Sequence, residues 1–143
     1  MDKPVIIFGG KGIAKAALEI FKSNRIVVYG FLDDDASIHG TEIDDVTVLG
    51  KTDDHGFIKL IGQKTEAFVA TDDNALRKKQ VKMLMDSRKV MPTNAVHQEA
   101  YISESASIGH GNFINAKATI GSDSKVGQHC IINSAAILEY NVT

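Results

Sequence analysis

The chain has 143 residues, with 16 Lys and Arg against 18 Asp and Glu, so its net charge is −2. Its 43% apolar and 24% charged residues are typical of a globular protein with a buried core, and the near-neutral charge predicts no nucleic-acid partner and no attraction to an anionic membrane. No apolar run reaches the roughly 18 residues of a membrane-inserted helix, while one cysteine, Cys130, and five scattered histidines predict no disulfide, no metal site and a cytoplasmic location.

Charge and pattern divide the chain near Pro92. Of the 34 charged residues, 28 lie in residues 1–91 and 6 in residues 92–143. Residues 1–91 alternate short apolar segments with amphipathic ones, which predicts a small parallel sheet with helices on both faces. The predicted strands are residues 5–8, 25–32, 46–49 and 67–70. The predicted helices are residues 13–21, 57–61 and 74–85. In the last helix we expect an inward face of Leu76, Val81, Leu84 and Met85.

Residues 92–143 have a strict period of six, which fits neither an α-helix nor a hairpin. The repeated feature is an aliphatic residue at Val96, Ile102, Ile108, Ile114, Ile120, Val126, Ile132 and Leu138. A small or modest residue stands two positions before each of them. A six-residue repeat is typical of a parallel β-helix, in which three hexapeptides form one triangular coil of about 18 residues. Residues 18 apart therefore share a face, and the repeat is long enough for fewer than three coils.

Candidate binding residues follow two of the predicted strands. Gly9, Gly10, Lys11 and Gly12 link the first strand to a helix, where backbone N–H groups are able to hold a phosphate. The alternative is a plain tight turn with a surface lysine.

A run of acidic residues ends the second predicted strand. Asp33, Asp34 and Asp35 stand where Rossmann-like sheets bind nucleotide hydroxyls or base edges. The alternative is a solvated turn and helix cap. After the fourth strand, Asp72 or Asp73 is predicted to cap the helix that follows.

Four stretches together resemble a known family. They are IIFGGKGIAK, GFLDDD, FVATDDNALRKKQ and INAKATIGSDSKVGQHCIINSAAILEY. They are similar to the hexapeptide-repeat sugar acyltransferases of the sialic acid O-acetyltransferase and bacillosamine N-acetyltransferase type. The resemblance implies a Rossmann-like domain at residues 1–91 and a left-handed β-helix at residues 92–143. The β-helix is expected to be incomplete at its C-terminal end, compared with that family.

The same resemblance implies a function. The first domain would hold a nucleotide-linked sugar, with Ala70 and Thr71 beside it and Lys11 near its diphosphate. Acetyl-CoA would lie along the β-helix between subunits of a homotrimer. An amino group or a hydroxyl of the sugar would then receive the acetyl group.

The catalytic positions depart from the family pattern. Tyr140 stands where the family has its histidine base, after Glu139, and Asn133 matches an asparagine beside the acetyl group. Tyrosine ordinarily titrates far above neutral pH, whereas histidine titrates close to it. Two hypotheses therefore remain open: an acetyl-CoA-dependent sugar acetyltransferase, or a non-catalytic trimeric module that binds a nucleotide or a sugar nucleotide.

Overall fold

The computed structural model describes residues 2–143 and divides the chain into two compact units, Met1–Pro92 and Thr93–Thr143. The first unit is an α/β sheet with its covering helices, and the second is a parallel β-helix.

The first unit contains a five-stranded sheet in the order β3-β4-β2-β1-β5. The strands are β1 Val5–Phe8, β2 Val28–Leu32, β3 Glu42–Ile43, β4 Val46–Gly50 and β5 Glu66–Val69. Strands β4, β2, β1 and β5 run parallel, and β3 is an antiparallel edge strand. β1 lies between β2 and β5, and its four side chains are at most 1% exposed, as expected for a continuous apolar strand in a parallel sheet.

Three α-helices accompany this sheet: α1 Ala14–Ser23, α2 His55–Ile58 and α3 Asn74–Arg88. Helix α1 contacts β1 and β2, and the ring of its Phe21 also meets that of Phe68 on β5 edge to face, with the ring centroids 5.7 Å apart. Helix α3 contacts β5 and is capped by Asp73, whose carboxylate accepts the Leu76 N–H at 3.0 Å, so the predicted cap is confirmed at Asp73. No helix within residues 2–143 has the length and apolarity to cross a bilayer.

Several predicted element ends are shifted by up to three residues, as in the strand predicted at residues 25–32, which begins at Val28. Two larger details of the first unit also differ from the sequence prediction. The edge strand β3 was not predicted, because two residues carry no detectable periodicity. Met85 was expected to face inward but is 37% exposed, whereas Gln80 and Leu84 are buried. On a helix of 3.6 residues per turn, residues 80 and 84 share a face, and Met85 lies about 100° farther round.

The second unit consists of two-residue strands stacked in three parallel sheets. They are β6 Ala95–Val96, β7 Tyr101–Ile102, β8 Ser107–Ile108, β9 Phe113–Ile114, β10 Thr119–Ile120, β11 Lys125–Val126, β12 Ile131–Ile132 and β13 Ile137–Leu138. The sheet orders are β12-β9-β6, β13-β10-β7 and β11-β8. Each partner lies 18 residues away, as Tyr101, Thr119 and Ile137 do, which confirms the predicted coil length.

The corners of the coils repeat the same backbone conformation every six residues. A left-handed φ of 59–70° occurs at Gly111, Lys117, Asp123, His129, Ala135 and Asn141. Each of the first five corners stands three positions before an aliphatic residue of the repeat, as Lys117 does before the fully buried Ile120. This conformation is unfavourable for residues other than glycine, so the stacked backbone hydrogen bonds must hold it in place.

One interior corner of the β-helix is a column of asparagines. The Asn112 side chain is fully buried, and its Nδ2 donates to the Gly127 carbonyl at 2.9 Å. Its Oδ1 accepts the Cys130 N–H at 2.8 Å. One coil below, Asn94 Oδ1 accepts the Asn112 N–H at 2.8 Å. Each asparagine therefore bonds its own coil to the next.

This column generates a prediction about stability. Asn112→Ala leaves the Gly127 carbonyl and the Cys130 N–H without their side-chain partner in the interior, and we expect it to lower the free energy of unfolding by about 2–4 kcal/mol. Denaturant unfolding followed by circular dichroism measures this change. The matched control is Asn133→Ala, because Asn133 is exposed and makes no side-chain hydrogen bond within residues 2–143. Equal free energies of unfolding for the two variants would contradict a stabilising role of the asparagine column.

Candidate functional site

A cavity of about 310 Å³ opens at the carboxyl edge of the parallel sheet in the first unit. Chain segments that follow β1, β2, β4 and β5 line it, since the carboxyl ends of parallel strands meet at one edge. Ligands of open α/β sheets commonly bind at this edge. Six of the residues predicted from the sequence line the cavity: Gly9, Lys11, Asp33, Asp34, Ala70 and Thr71.

The loop after β1 approaches the neighbouring strand so closely that it requires glycine. Gly9 has a φ of 112°, and a Cβ added there would lie 2.6 Å from the Ala70 carbonyl oxygen. Its N–H donates to the Leu32 carbonyl at 2.7 Å. Gly12 has a φ of 59° at the point where the loop turns into α1. The predicted residues Gly10 and Gly12 belong to this loop without lining the cavity.

The three aspartates after β2 have three different environments. Asp33 uses both carboxylate oxygens on backbone N–H groups, accepting from Gly10 and from Asp35 at 2.8 Å each. Asp35 accepts from Ser37 and forms an ion pair with Lys11. The hydrogen bond from Lys11, together with those from Ser37, holds the pKa of Asp35 well below its ordinary value, and the same pair raises the pKa of Lys11.

Asp34 faces the cavity beside Thr52. Its Oδ1 accepts the Thr52 hydroxyl at 2.8 Å and the Thr52 N–H at 3.1 Å. Partial burial acts to raise the pKa of Asp34, but these hydrogen bonds and the charges of Lys79 and Lys51 outweigh burial and leave the pKa below its ordinary 3.8. Asp34 is therefore a carboxylate at neutral pH.

The segment after β5 closes the cavity on its other side. Ala70 is buried, and its N–H donates to the Phe8 carbonyl at 2.8 Å. The Thr71 carbonyl accepts from the guanidinium of Arg77, and the Thr71 hydroxyl accepts the Asp73 N–H at 3.1 Å. The Arg77 side chain of α3 thus bonds to the loop that precedes the helix.

Gln80 is a cavity residue that the sequence reasoning missed. It lies on α3, is 5% exposed and lines the cavity together with Asp34 and Thr52. Its Oε1 is buried and accepts no hydrogen bond within residues 2–143. The available signal was its spacing of four residues from both Leu76 and Leu84, which places a polar side chain on the inward face of the helix.

The predicted catalytic residues lie in the last coil of the β-helix. Asn133, Glu139 and Tyr140 are all exposed, with Tyr140 at 74%. The Glu139 carbonyl accepts the Ser124 hydroxyl at 2.7 Å, but no hydrogen bond joins the three side chains to one another within residues 2–143. In the same range, no group of three or more metal-ligating side chains is arranged around a common point. That residue 140 occupies the position of a catalytic general base stays a prediction.

The sequence matches one family profile and one viral protein. A family described as the PglD N-terminal domain matches residues 4–84. An uncharacterized protein of Acanthamoeba polyphaga mimivirus is 30% identical over 125 residues, which are 85% of this chain and 23% of that protein.

Several solved structures share the fold. GDP-perosamine N-acetyltransferase from Caulobacter crescentus, in complex with CoA and GDP-perosamine, is 30% identical with a TM-score of 0.79; the match covers 96% of this chain and 63% of that one. The PglB acetyltransferase domain from Neisseria gonorrhoeae is 20% identical with a TM-score of 0.79, over 99% of this chain and 66% of that one. WeeI from Acinetobacter baumannii is 18% identical with a TM-score of 0.77, over 97% of this chain and 65% of that one.

These matches confirm the predicted fold class, a Rossmann-like domain followed by a left-handed parallel β-helix. They also confirm the resemblance to the hexapeptide-repeat sugar acetyltransferases. The chain spans just under two thirds of the length of these solved chains.

The contacts of Asp34 predict how its pKa responds to substitution. Thr52→Val removes one hydrogen-bond donor to the carboxylate, so we expect the pKa of Asp34 to rise. Because the folded-state pKa is depressed, Asp34 stabilises the fold above its ordinary pKa of 3.8, and this contribution is lost as the pH falls through the folded-state value.

A carboxyl-carbon NMR titration of Asp34 measures the shift. Thr41→Val is the matched control, because the Thr41 hydroxyl donates to the Ile38 carbonyl and touches no carboxylate. An unchanged pKa of Asp34 in Thr52→Val would show that the hydroxyl does not stabilise the charge.

Proposed function

The chain belongs to the PglD N-terminal domain family, and on that basis we propose that its first unit binds the nucleotide-linked sugar acceptor of an acetyl-CoA-dependent sugar acetyltransferase. The observation that carries this proposal is the cavity at the carboxyl edge of the sheet. The 30%-identical neighbour binds GDP-perosamine and CoA, which supports the same two ligand classes for this chain.

The groups around the cavity are chemically complementary to a sugar nucleotide. They are a glycine loop, a cation and carboxylates. The loop Gly9–Gly12 brings backbone close to the cavity and leads into α1, a combination that favours a phosphate. The Lys11 ammonium adds a positive charge, and a diphosphate would compete with Asp35 for it. Asp34 and the Thr71 hydroxyl remain available for the hydroxyl and amide groups of a nucleoside.

For the second unit we propose the acetyl-transfer role. Acetyl-CoA would bind along the β-helix of a homotrimer, and the acceptor amino group or hydroxyl would attack the thioester carbonyl carbon. The proton leaves the acceptor for a base, and CoA departs as the thiol. Outward-facing Tyr101 and Ile137, 62% and 63% exposed on one face of the β-helix, support a subunit contact there.

A reducing cytoplasm is the compartment we propose.

A binding module without catalysis is the second candidate function, and Tyr140 favours it. Tyr140 stands at the position of the expected histidine base, is 74% exposed, and makes no hydrogen bond to Glu139 or Asn133 within residues 2–143. A general base must lie within hydrogen-bond reach of the group that it deprotonates. This module would bind a nucleotide or a sugar nucleotide as a trimer and transfer no acetyl group.

Replacing Lys11 tests the diphosphate site. We expect Lys11→Met to weaken binding of a nucleoside diphosphate several-fold and to leave binding of the corresponding nucleoside unchanged, as measured by isothermal titration calorimetry. Lys64→Met, which changes an exposed lysine outside the cavity, should bind both ligands like the unaltered protein. Failure of the unaltered protein to bind any nucleoside diphosphate would refute the proposed site.

Replacing Tyr140 separates the two candidate functions. If the site is an acetyltransferase site lacking its base, Tyr140→His in the full-length protein should accelerate CoA release from acetyl-CoA with an amino-sugar nucleotide by roughly 10²–10⁴-fold. A thiol reagent measures the released CoA, and Lys125→His controls for an exposed histidine on a different sheet of the β-helix. Nucleotide binding without any acceleration would favour the binding module.

A further inference from the structure

Two contacts join the loop after β1 to the turn after β2 at the edge of the cavity. The inner contact is the partly buried hydrogen bond from the Gly10 N–H to the Asp33 carboxylate. The outer contact is the ion pair between the Lys11 ammonium and Asp35, whose side chains are 60% and 34% exposed. Because the outer ion pair is open to solvent, a dissolved anion is able to reach it.

Ser37 orients the Asp35 carboxylate toward Lys11. Asp35 Oδ1 accepts the Ser37 N–H at 2.9 Å and the Ser37 hydroxyl at 2.6 Å, which leaves Oδ2 to pair with Lys11. The Asp35 N–H is in turn held by the Asp33 carboxylate at 2.8 Å. Pairing with a carboxylate that is already held in place costs less side-chain freedom than pairing two mobile groups.

The Lys11 side chain is able to exchange one anion for another without moving the backbone. Lys11 lines the cavity, whereas Asp35 stands outside the lining. Lysine carries a compact charge on a flexible four-carbon stem, so its ammonium can swing between the two places. The inner contact between Gly10 and Asp33 keeps the loop in position when the outer ion pair opens.

We propose that Asp35 is a displaceable counter-ion that regulates this site: it holds Lys11 while the site is empty and is exchanged for the diphosphate of the sugar nucleotide. This rests on the proposed function. Asp35 lowers the affinity for the diphosphate, because binding must first break the outer ion pair. It also favours release of the reacted sugar nucleotide, since Asp35 takes Lys11 back as the diphosphate leaves.

A double-mutant cycle on the full chain tests this exchange. Asp35→Asn keeps an Oδ1 acceptor for Ser37 and removes the charge that holds Lys11. We therefore expect it to tighten the binding of GDP and UDP about two- to fivefold, as measured by isothermal titration calorimetry. In the Lys11→Met background no ammonium is released, so the same Asp35→Asn change should bring no comparable gain.

The cycle distinguishes displacement of a counter-ion from simple repulsion between Asp35 and the ligand. Repulsion would give the same gain with and without Lys11, and that result would overturn the proposal. Asp45→Asn is the matched control, because it removes one carboxylate from an exposed turn of the same unit outside the cavity and should leave the affinity unchanged. Thermal unfolding verifies that each variant is folded.

The outcomes separate this proposal from the proposed function. If GDP and UDP bind neither the unaltered chain nor Asp35→Asn, the nucleotide-sugar site itself is wrong and the exchange falls with it. If a nucleotide binds and Asp35→Asn brings no gain in affinity, the nucleotide-sugar site stands and only the role of Asp35 is overturned.

Discussion

The carboxylate of Asp33 holds the ends of two neighbouring strands together. It accepts the Gly10 N–H from the loop after β1 and the Asp35 N–H from the turn after β2. Because one side chain fixes both segments, Lys11 on the first segment and Asp34 on the second are placed at the same cavity. Asp33 is thus a positioning residue, and Asp34 is the aspartate of the three that leaves a carboxylate oxygen for a ligand.

A different constraint governs the β-helix. Its side chains alternate between interior and surface within strands of two residues. The corners between these strands must therefore align each strand with the equivalent strand of the next coil. The left-handed corners are held by backbone hydrogen bonds between coils, such as the Asn141 N–H to the Ser122 carbonyl at 2.7 Å. The buried Asn112 adds side-chain hydrogen bonds at a position where an apolar residue would leave the backbone unpaired.

The sequence was most informative where a contact recurs at a fixed spacing. The six-residue period predicts which residues stack, because every strand of the β-helix pairs with the strand 18 residues away. The continuous apolar run of β1 predicts a central parallel strand for the same kind of reason. The loop after β1 was predictable from its glycines. The structure gives the reason for one of them, because the close approach of Gly9 to Ala70 leaves no space for a side chain. The roles of these residues in binding and catalysis stay predictions.

Features that depend on the direction of one side chain were not predictable. Three consecutive aspartates are identical in sequence, and only the backbone after β2 decides that Asp33 binds the loop and Asp34 faces the cavity. Gln80 was missed because a polar residue on an amphipathic helix ordinarily faces solvent. The prediction that Met85 faces inward was wrong for a related reason, because the apolar pattern of α3 did not reveal where its buried face ends.

The six-residue recurrence of left-handed corners also limits how such a chain changes length during evolution. A single inserted residue within a strand would move every later corner off its column and turn interior side chains outward. Insertions are compatible with the stack only when they bulge out at a corner, or when they add a whole coil of about 18 residues. The β-helix is therefore expected to grow or shrink by steps, whereas the loops around the first unit's cavity vary one residue at a time.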